Sequence, residues 1–392
     1  NTDDDTVSQA AKLTASDGVT ADYFAFSVAI SGEYIVVGAP QDADNGVNSG
    51  SAYVFKINMD DDTVSDVTKL TASDASGYDY FGISAAITGD YMVLGAYGDD
   101  DNGNSSGSAY LFKINTDDDT VSQAAKLTAS DGALNDYFGR YSVAISGNYI
   151  AVGVDGDDDN GFSSGSTYLF KINTDDNTVS QMAKLTASDG AQGDSFGYSV
   201  TISDDYIVVG ANGSDNYVDD SGFGDNSGSA YVFKINTDDD TVSEIEKLAA
   251  SDGAEDDDFG SAVAISGDYI VVGAADDDDN GSRSGSVYTI ALEPQNRPYW
   301  ENHVTQIEAT ENTTNIYTVL TNSINTGDII VSLSGDDASN FSIVDGVIIA
   351  VGTLQYESPQ DSDIDGIYEI TVNLEDAQGK TYSYDTNIVI VI

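Results

Sequence analysis

Apolar residues in this chain fall into short blocks separated by acidic, glycine-rich punctuation, and the blocks recur in a fixed order. Between residues 81 and 129 the order is Phe81-Gly-Ile-Ser-Ala-Ala-Ile87, Tyr91-Met-Val-Leu-Gly-Ala96, Gly107-Ser-Ala-Tyr-Leu-Phe-Lys-Ile114 and Val121-Ser-Gln-Ala-Ala-Lys-Leu-Thr-Ala129. Their length and their β-branched and aromatic content predict four strands. The connectors are Thr88-Gly-Asp90, Gly98-Asp-Asp-Asp-Asn-Gly103 and Asn115-Thr-Asp-Asp-Asp-Thr120, all turn chemistry. No block carries a helical period or cap.

The same sequence of blocks follows each copy of Lys-Leu-(Thr/Ala)-Ala-Ser-Asp, which begins at Lys12, Lys69, Lys126, Lys184 and Lys247. A period of 57 to 63 residues with four strands per repeat predicts an all-β fold, a β-propeller of four-stranded blades spanning residues 1–293. Strand arithmetic adds a closure. Residues 7–15 form a surplus fourth strand at the front. The fifth copy supplies three strands, near 259–265, 269–274 and 285–291, and then breaks off. The N-terminal strand is therefore expected to complete the last blade of a five-bladed ring, which removes the open sheet edges. The competing expectation is that further copies lie upstream.

Charge narrows the function. The chain has 68 Asp and Glu against 13 Lys and Arg, a formal net charge of −55. Nucleic acid and anionic membrane surfaces are excluded as partners on that ground. No run is long enough for a transmembrane helix, so no membrane insertion is expected in this segment. With no Cys, and His303 as the sole His, thiolate sites, clustered-His zinc and a Ser-His-Asp triad within the repeats are excluded.

The motif resembles the FG-GAP repeat of integrin α-chain propellers and of bacterial surface proteins. Phe-Gly stands at Phe81-Gly82, Phe138-Gly139, Phe196-Gly197 and Phe259-Gly260, with Phe24-Ala25 in the first copy. Gly-Ala-Pro is complete at Gly38-Ala39-Pro40 and reads Gly95-Ala96-Tyr97, Gly153-Val154-Asp155, Gly210-Ala211-Asn212 and Gly273-Ala274-Ala275 elsewhere. These glycines are read as packing positions. The integrin calcium loop lies between those two strands, where this chain has only a tight turn such as Ser31-Gly-Glu33, so that site is not carried over.

An acidic loop sits one connector later, and its register departs from the EF-hand. It offers Asp42 and Asp44, Asp99 and Asp101, Asp157 and Asp159, and Asp277 and Asp279. The connector leading from the preceding blade brings Asp74 and Asp79, or Asp131 and Asp136, to the same rim. So many carboxylates repel one another, which makes Ca²⁺ the expected cation, with solvated turns as the alternative. The Asn-Thr-Asp-Asp-Asp-Thr hairpins on the other face are expected to be solvated turns. The fourth copy carries an insertion over 212–226 that offers Tyr217 and Phe223 as candidate ligand contacts.

Beyond Glu293-Pro-Gln-Asn-Arg-Pro-Tyr-Trp300 the repeat stops. Residues 294–392 predict a small β-sandwich with strands near 328–333, 346–351, 368–374 and 382–392. This part resembles a bacterial cadherin-like domain through Leu333-Ser-Gly-Asp-Asp-Ala-Ser-Asn-Phe341, Tyr356-Glu357 and Glu375-Asp376-Ala-Gln-Gly379. The resemblance implies calcium ligation by Glu311, Glu357 and Asp376, with Asp363 and Asp365 as further ligands. Together these features lead to the expectation of a secreted or cell-surface bacterial protein without enzymatic activity, an adhesin or surface-fibre component with calcium-dependent rigidity. Its expected partners are other surface proteins, glycans or copies of itself. The alternatives are a glycan-binding lectin module and a self-assembling filament or sheath subunit. A glycoside hydrolase is a more remote alternative, because no Asp/Glu pair is set apart from the repeat.

Overall fold

The computed structural model describes residues 9–214 and 226–292 in full, and the strands of the remaining C-terminal part. The chain divides into two compact units, Asn1–Leu292 and Glu293–Ile392. Among the described residues all strands and helices assigned are β-strands.

In the first unit each repeat folds into one antiparallel meander. The first sheet holds β1 (Val28–Ser31), β2 (Tyr34–Ala39), β3 (Ser51–Ile57) and β4 (Val64–Leu70) in that order. The next three follow suit: β5 (Ala85–Thr88) to β8 (Thr120–Leu127), β9 (Val143–Ser146) to β12 (Thr178–Leu185), and β13 (Ser199–Ser203) to β16 (Thr241–Leu248). A three-stranded sheet follows, β17 (Phe259–Ser266), β18 (Tyr269–Ala274) and β19 (Ser286–Ala291). This serial stack of meanders is consistent with propeller blades, and the sheets are called blades below.

Sequence sets the details. Gly32, at φ +55°, makes the tight β1–β2 turn. In the β3–β4 hairpin, Asn58 Oδ1 accepts the Asp60 N–H, and Asp61 Oδ1 accepts both the N–H and the hydroxyl of Thr63. That side-chain bonding is why Asn-x-Asp-Asp-Asp-Thr recurs there. A bulge interrupts every third–fourth strand pairing, between Val54 and Phe55 in the first blade and between Leu111 and Phe112 in the second.

The middle strands are buried on both faces, which explains their near-continuous apolar runs: all six residues of Tyr91–Ala96 are buried. In the second, third and fourth blades one face packs on the blade before and the other on the blade after. Met92, Leu94, Tyr110 and Phe112 meet Val36, Val54 and Leu70 of the first blade. Val93, Ala109, Leu111 and Leu127 meet Ile150, Val152, Tyr168 and Phe170 of the third. The Phe-Gly and Gly-Ala glycines sit where blades touch. A Cβ on Gly95 would lie 2.2 Å from the Gly139 carbonyl oxygen. Gly107, at φ +80°, bridges Phe138 of the next blade.

The expected closure differs. Residues 9–15 are not in a strand, and β19 pairs only with β18 among the described residues. Leu13 and Ala15 pack on Val37, Ala39, Tyr53 and Phe55 of the first blade. In the first four sheets the Phe-Gly strand is also shorter than expected: β5 starts at Ala85, past Gly82 at φ +84°.

The second unit contains β20 (Gln306–Thr310), β21 (Asn315–Thr318), β22 (Ile330–Ser334), β23 (Phe341–Val344), β24 (Val347–Ala350), β25 (Ile367–Glu375) and β26 (Thr381–Val391). They form two sheets, β20-β26-β25-β22 and β21-β24-β23, with β20 parallel to β26.

Candidate functional site

The acidic rim is the first site the repeat builds. In the loop after β6, Asp99 folds its Oδ1 back onto the Asp101 N–H at 3.1 Å. Ser106 Oγ donates to the Asp99 carbonyl, and the Gly107 N–H donates to the same oxygen. Asp99 is thereby buried, and its Oδ2 accepts the Tyr110 hydroxyl at 3.0 Å. Asp74, from the connector between the first two blades, accepts the same hydroxyl through Oδ1 at 2.8 Å.

A lysine occupies the centre. Lys126 Nζ lies 2.7 Å from Asp74, 2.9 Å from Asp99 and 2.6 Å from Asp101. The first blade repeats this with Lys69 on Asp17, Asp42 and Asp44, and the third with Lys184 on Asp131, Asp157 and Asp159. Burial opposes the ammonium charge of Lys126, yet its three carboxylate partners outweigh it and raise the pKa. Burial likewise pushes against ionisation of Asp74, and the Lys126 and Tyr110 hydrogen bonds overcome it, holding the carboxyl below the usual range.

Asp42, Asp44, Asp99, Asp101, Asp157 and Asp159, the expected calcium ligands, thus stand around a lysine of the repeat itself. The carboxylates converge as expected, and the sets around Asp42 and Asp99 are close enough to share one ion. In this structure the repeat's own ammonium stands among them. The signal was one lysine at a fixed place in every copy. The fourth blade is reduced: Ser214 takes the position of Asp42, and Lys247 pairs with Asp189 at 2.8 Å. In the fifth, Asp252 and Asp277 accept from Tyr288, and no Lys or Arg pairs with Asp252, Asp277 or Asp279 among the described residues. Beside each lysine lies a further buried carboxylate. Burial raises Asp79 and Asp136 to about 6, with Asp99 and Asp157 respectively adding repulsion.

The hairpins on the other face are also more than solvated turns. Asp119, at φ +59° in the second hairpin, accepts from Lys56 and Tyr34 of the first blade. Asn177 does the same for Tyr91 and Lys113, and Asp240 pairs with Lys171. Each hairpin tip thus holds the preceding blade.

One place breaks the repetition. The third copy reads Phe138-Gly-Arg-Tyr-Ser, one residue longer than Phe81-Gly-Ile-Ser or Phe196-Gly-Tyr-Ser. The extra residue sets Arg140 among aromatic rings, its guanidinium carbon 4.5 Å from the Tyr141 centroid, 4.7 Å from Tyr137 and 5.6 Å from Tyr97. Tyr80 stacks on Tyr97 at 4.9 Å, and Tyr141 lies 4.5 Å from Tyr198. Asp155 is 3.7 Å from Arg140, and burial raises its carboxyl to about 6 against the pull of that arginine. Two adjoining cavities of about 530 and 510 Å³ share Tyr97 and Arg140 in their walls. One is lined by the innermost strands, including Val28, Ala85 and Val143, and the other by Tyr78, Tyr80 and Tyr137. The 58-residue spacing between Lys126 and Lys184 was the signal for this insertion.

Tyr217 and Phe223, and Glu311, Glu357, Asp363, Asp365 and Asp376, lie outside the described residues. No helix is long and apolar enough to cross a membrane among the described residues.

A family model described as FG-GAP repeat matches residues 7–55, 64–112, 121–170, 179–233 and 242–290. No curated protein matches the chain. Among solved structures, a putative 6-phosphogluconolactonase from Bacteroides fragilis is similar at TM-score 0.45 and 13% identity, over 93% of this chain and 84% of that one. A putative 6-phosphogluconolactonase from Bacteroides uniformis gives 0.42 and 12%, over 93% and 85%. The periplasmic gluconolactonase PpgL of Pseudomonas aeruginosa gives 0.41 and 11%, over 92% and 85%. These names correct the expectation of a protein without enzymatic activity: structures named as enzymes are similar to this chain, and the exclusion of an enzyme is withdrawn.

Proposed function

The chain belongs to the FG-GAP repeat family, and on that premise we propose that it is a secreted or cell-surface bacterial adhesin whose repeat unit recognises a glycan at the Arg140 pocket. The C-terminal unit, read as a cadherin-like sandwich, serves as a spacer. Seven strands in two sheets among its described residues support that reading.

The observation that carries the proposal is the single-residue insertion. Four blades follow one plan at the Phe-Gly strand, and the third departs from it to place an arginine between tyrosine rings. Flat aromatic faces take the apolar face of a sugar ring, and a guanidinium offers paired donors to hydroxyl or carboxylate oxygens. On a surface of net charge −55, Arg140 is a local attractor for an acidic sugar. A repeated scaffold altered at the Phe-Gly strand in one blade gives one such site in the repeat unit.

A glycan array probed with the whole chain tests this, followed by calorimetric titration of the best hit against Arg140→Ala and Tyr97→Ala. The expected outcome is binding to uronic- or sialic-type glycans and a loss of about tenfold or more in each variant, the scale of one lost charged or stacking contact. An empty array, or a hit that neither variant weakens, contradicts the proposal.

A further inference from the structure

We propose that the Arg140 site takes an internal stretch of a glycan chain, one uronic acid held between two neutral sugars. This rests on the glycan reading above and narrows its ligand from an acidic sugar to a flanked one.

Residues that depart from the repeat converge there. Tyr97 follows Gly-Ala at the position that holds Pro40, Asp155, Asn212 and Ala275 in the other copies. Tyr78 stands at the position of Ala21, Asn135, Gly193 and Asp256. All five residues at that second position hold positive φ, from 65° to 92°. Such a backbone suits Gly, Asn and Asp and strains a bulky side chain. Tyr78 is 58% exposed, so its ring packs no core. A strained residue kept at the surface points to a role in contact with a ligand. Tyr78, Tyr97 and the inserted Arg140 are distant in the chain, yet all three line one cavity.

That cavity meets a second one at Arg140 and Tyr97. Each, at 530 and 510 Å³, lies within the range of about 300–1,000 Å³ that holds a whole small ligand. A lone sugar on Arg140 would leave much of both to water. Phe26, Val28 and Val200 give the larger cavity an apolar side, and its Ser27 and Ser84 hydroxyls already donate to the Gly82 and Gly139 carbonyls. The other offers Tyr78 and Tyr80 beside Asn104. Such walls suit uncharged rings packed by their C–H faces.

Charge sets the order of sugars. Among the described residues lining the two cavities, Arg140 is the one cation and Asp100 the one carboxylate. Asp155, 3.7 Å from one guanidinium nitrogen, holds one side of Arg140. The rest of the planar fork can take one further carboxylate. A second acidic sugar would find no cation of its own, and would face Asp100 on a chain of net charge −55.

Calorimetric titration of the whole chain compares glucuronate alone, glucuronate between two N-acetylglucosamines, and a trisaccharide of glucuronates. The flanked trisaccharide is expected to bind about tenfold or more tighter than either of the others, the scale of one good added contact. Phe26→Ala in the larger cavity and Tyr78→Ala in the other are each expected to narrow its lead over glucuronate alone. Both side chains are exposed, and Ala21 holds the Tyr78 position in the first copy, so melting midpoints near the parent's are expected. Equal affinity for glucuronate and the flanked trisaccharide, a preference for the all-acidic one, or a variant that leaves the lead intact overturns this proposal and leaves the glycan reading standing. Binding of none of the three overturns both.

Discussion

At the scale of single residues, the rim sets carboxylates with opposite titration behaviour side by side. Asp17, held down by the Lys69 and Tyr53 hydrogen bonds, has a lowered pKa, and the lysine and tyrosine contacts of Asp74, Asp131 and Asp189 lower theirs against the opposing effect of burial. They stabilise the fold above about pH 4, and that contribution is lost as pH falls through their folded values. Asp79 and Asp136 are raised by burial to about 6. Their contribution is complete below the unfolded value near 3.8 and is lost as pH rises through about 6. At pH 5 the first contribution is complete and about half of the second remains, so the melting midpoint is expected to be higher at pH 5 than at pH 7, and the first contribution is lost below about pH 4. Asp136→Asn keeps an acceptor for the Ala133 N–H and removes the buried charge. Calorimetry at pH 7 should show it more stable by on the order of 1–2 kcal/mol, with a flatter slope between pH 5 and 7. Equal slopes in variant and parent would contradict the assignment. These carboxylates were visible in the sequence as a rim, because each recurs at a fixed offset. The lysine among them was read as part of a spacing marker, since pattern alone does not say which side chains of different strands converge.

At the scale of elements, the blades were legible down to their connectors. Short apolar blocks with β-branched residues have few other ways to bury themselves, and Gly, Asp and Asn mark the turns between them. The hairpins carried a second role that hydrophobicity does not encode: Asp119, Asn177 and Asp240 reach back to the blade before. The insertion at Arg140 was hidden for a different reason. One residue in a 58-residue period leaves the strand pattern intact and shifts only what faces the cavity. The glycines, by contrast, act as their positions implied. Adding a Cβ to Gly95 forces it against the Gly139 carbonyl and Ser84 Oγ, so Gly95→Ala has to push two blades apart. Urea unfolding should show a loss of about 2–4 kcal/mol, the range of overpacked cores and strained backbone. Gly89→Ala is the control, because nothing lies within 4 Å of its Cβ and only its positive φ is strained. A Gly95→Ala variant no less stable than that control contradicts close blade contact at Gly95.

At the scale of the whole molecule, a chain of net charge −55 must keep its sheets together against its own repulsion. The repeat does this by spending most of its few cations at blade junctions. Lys56, Lys69, Lys113, Lys126, Lys171, Lys184 and Lys247 each hold a side chain from an adjacent repeat. We therefore propose that lysine, rather than Ca²⁺, neutralises the rim. Removing Lys126 leaves Asp74, Asp99 and Asp101 converging without a cation, at a cost on the order of 1–3 kcal/mol for a partly buried site. Thermal unfolding of the parent and of Lys126→Met, each with excess chelator and with millimolar Ca²⁺, tests this most directly. The expected result is a parent midpoint that ignores both additions, and a variant midpoint that is lower in chelator and recovers with Ca²⁺. A parent that melts far lower in chelator, beside a Lys126→Met variant as stable as the parent, would contradict the account.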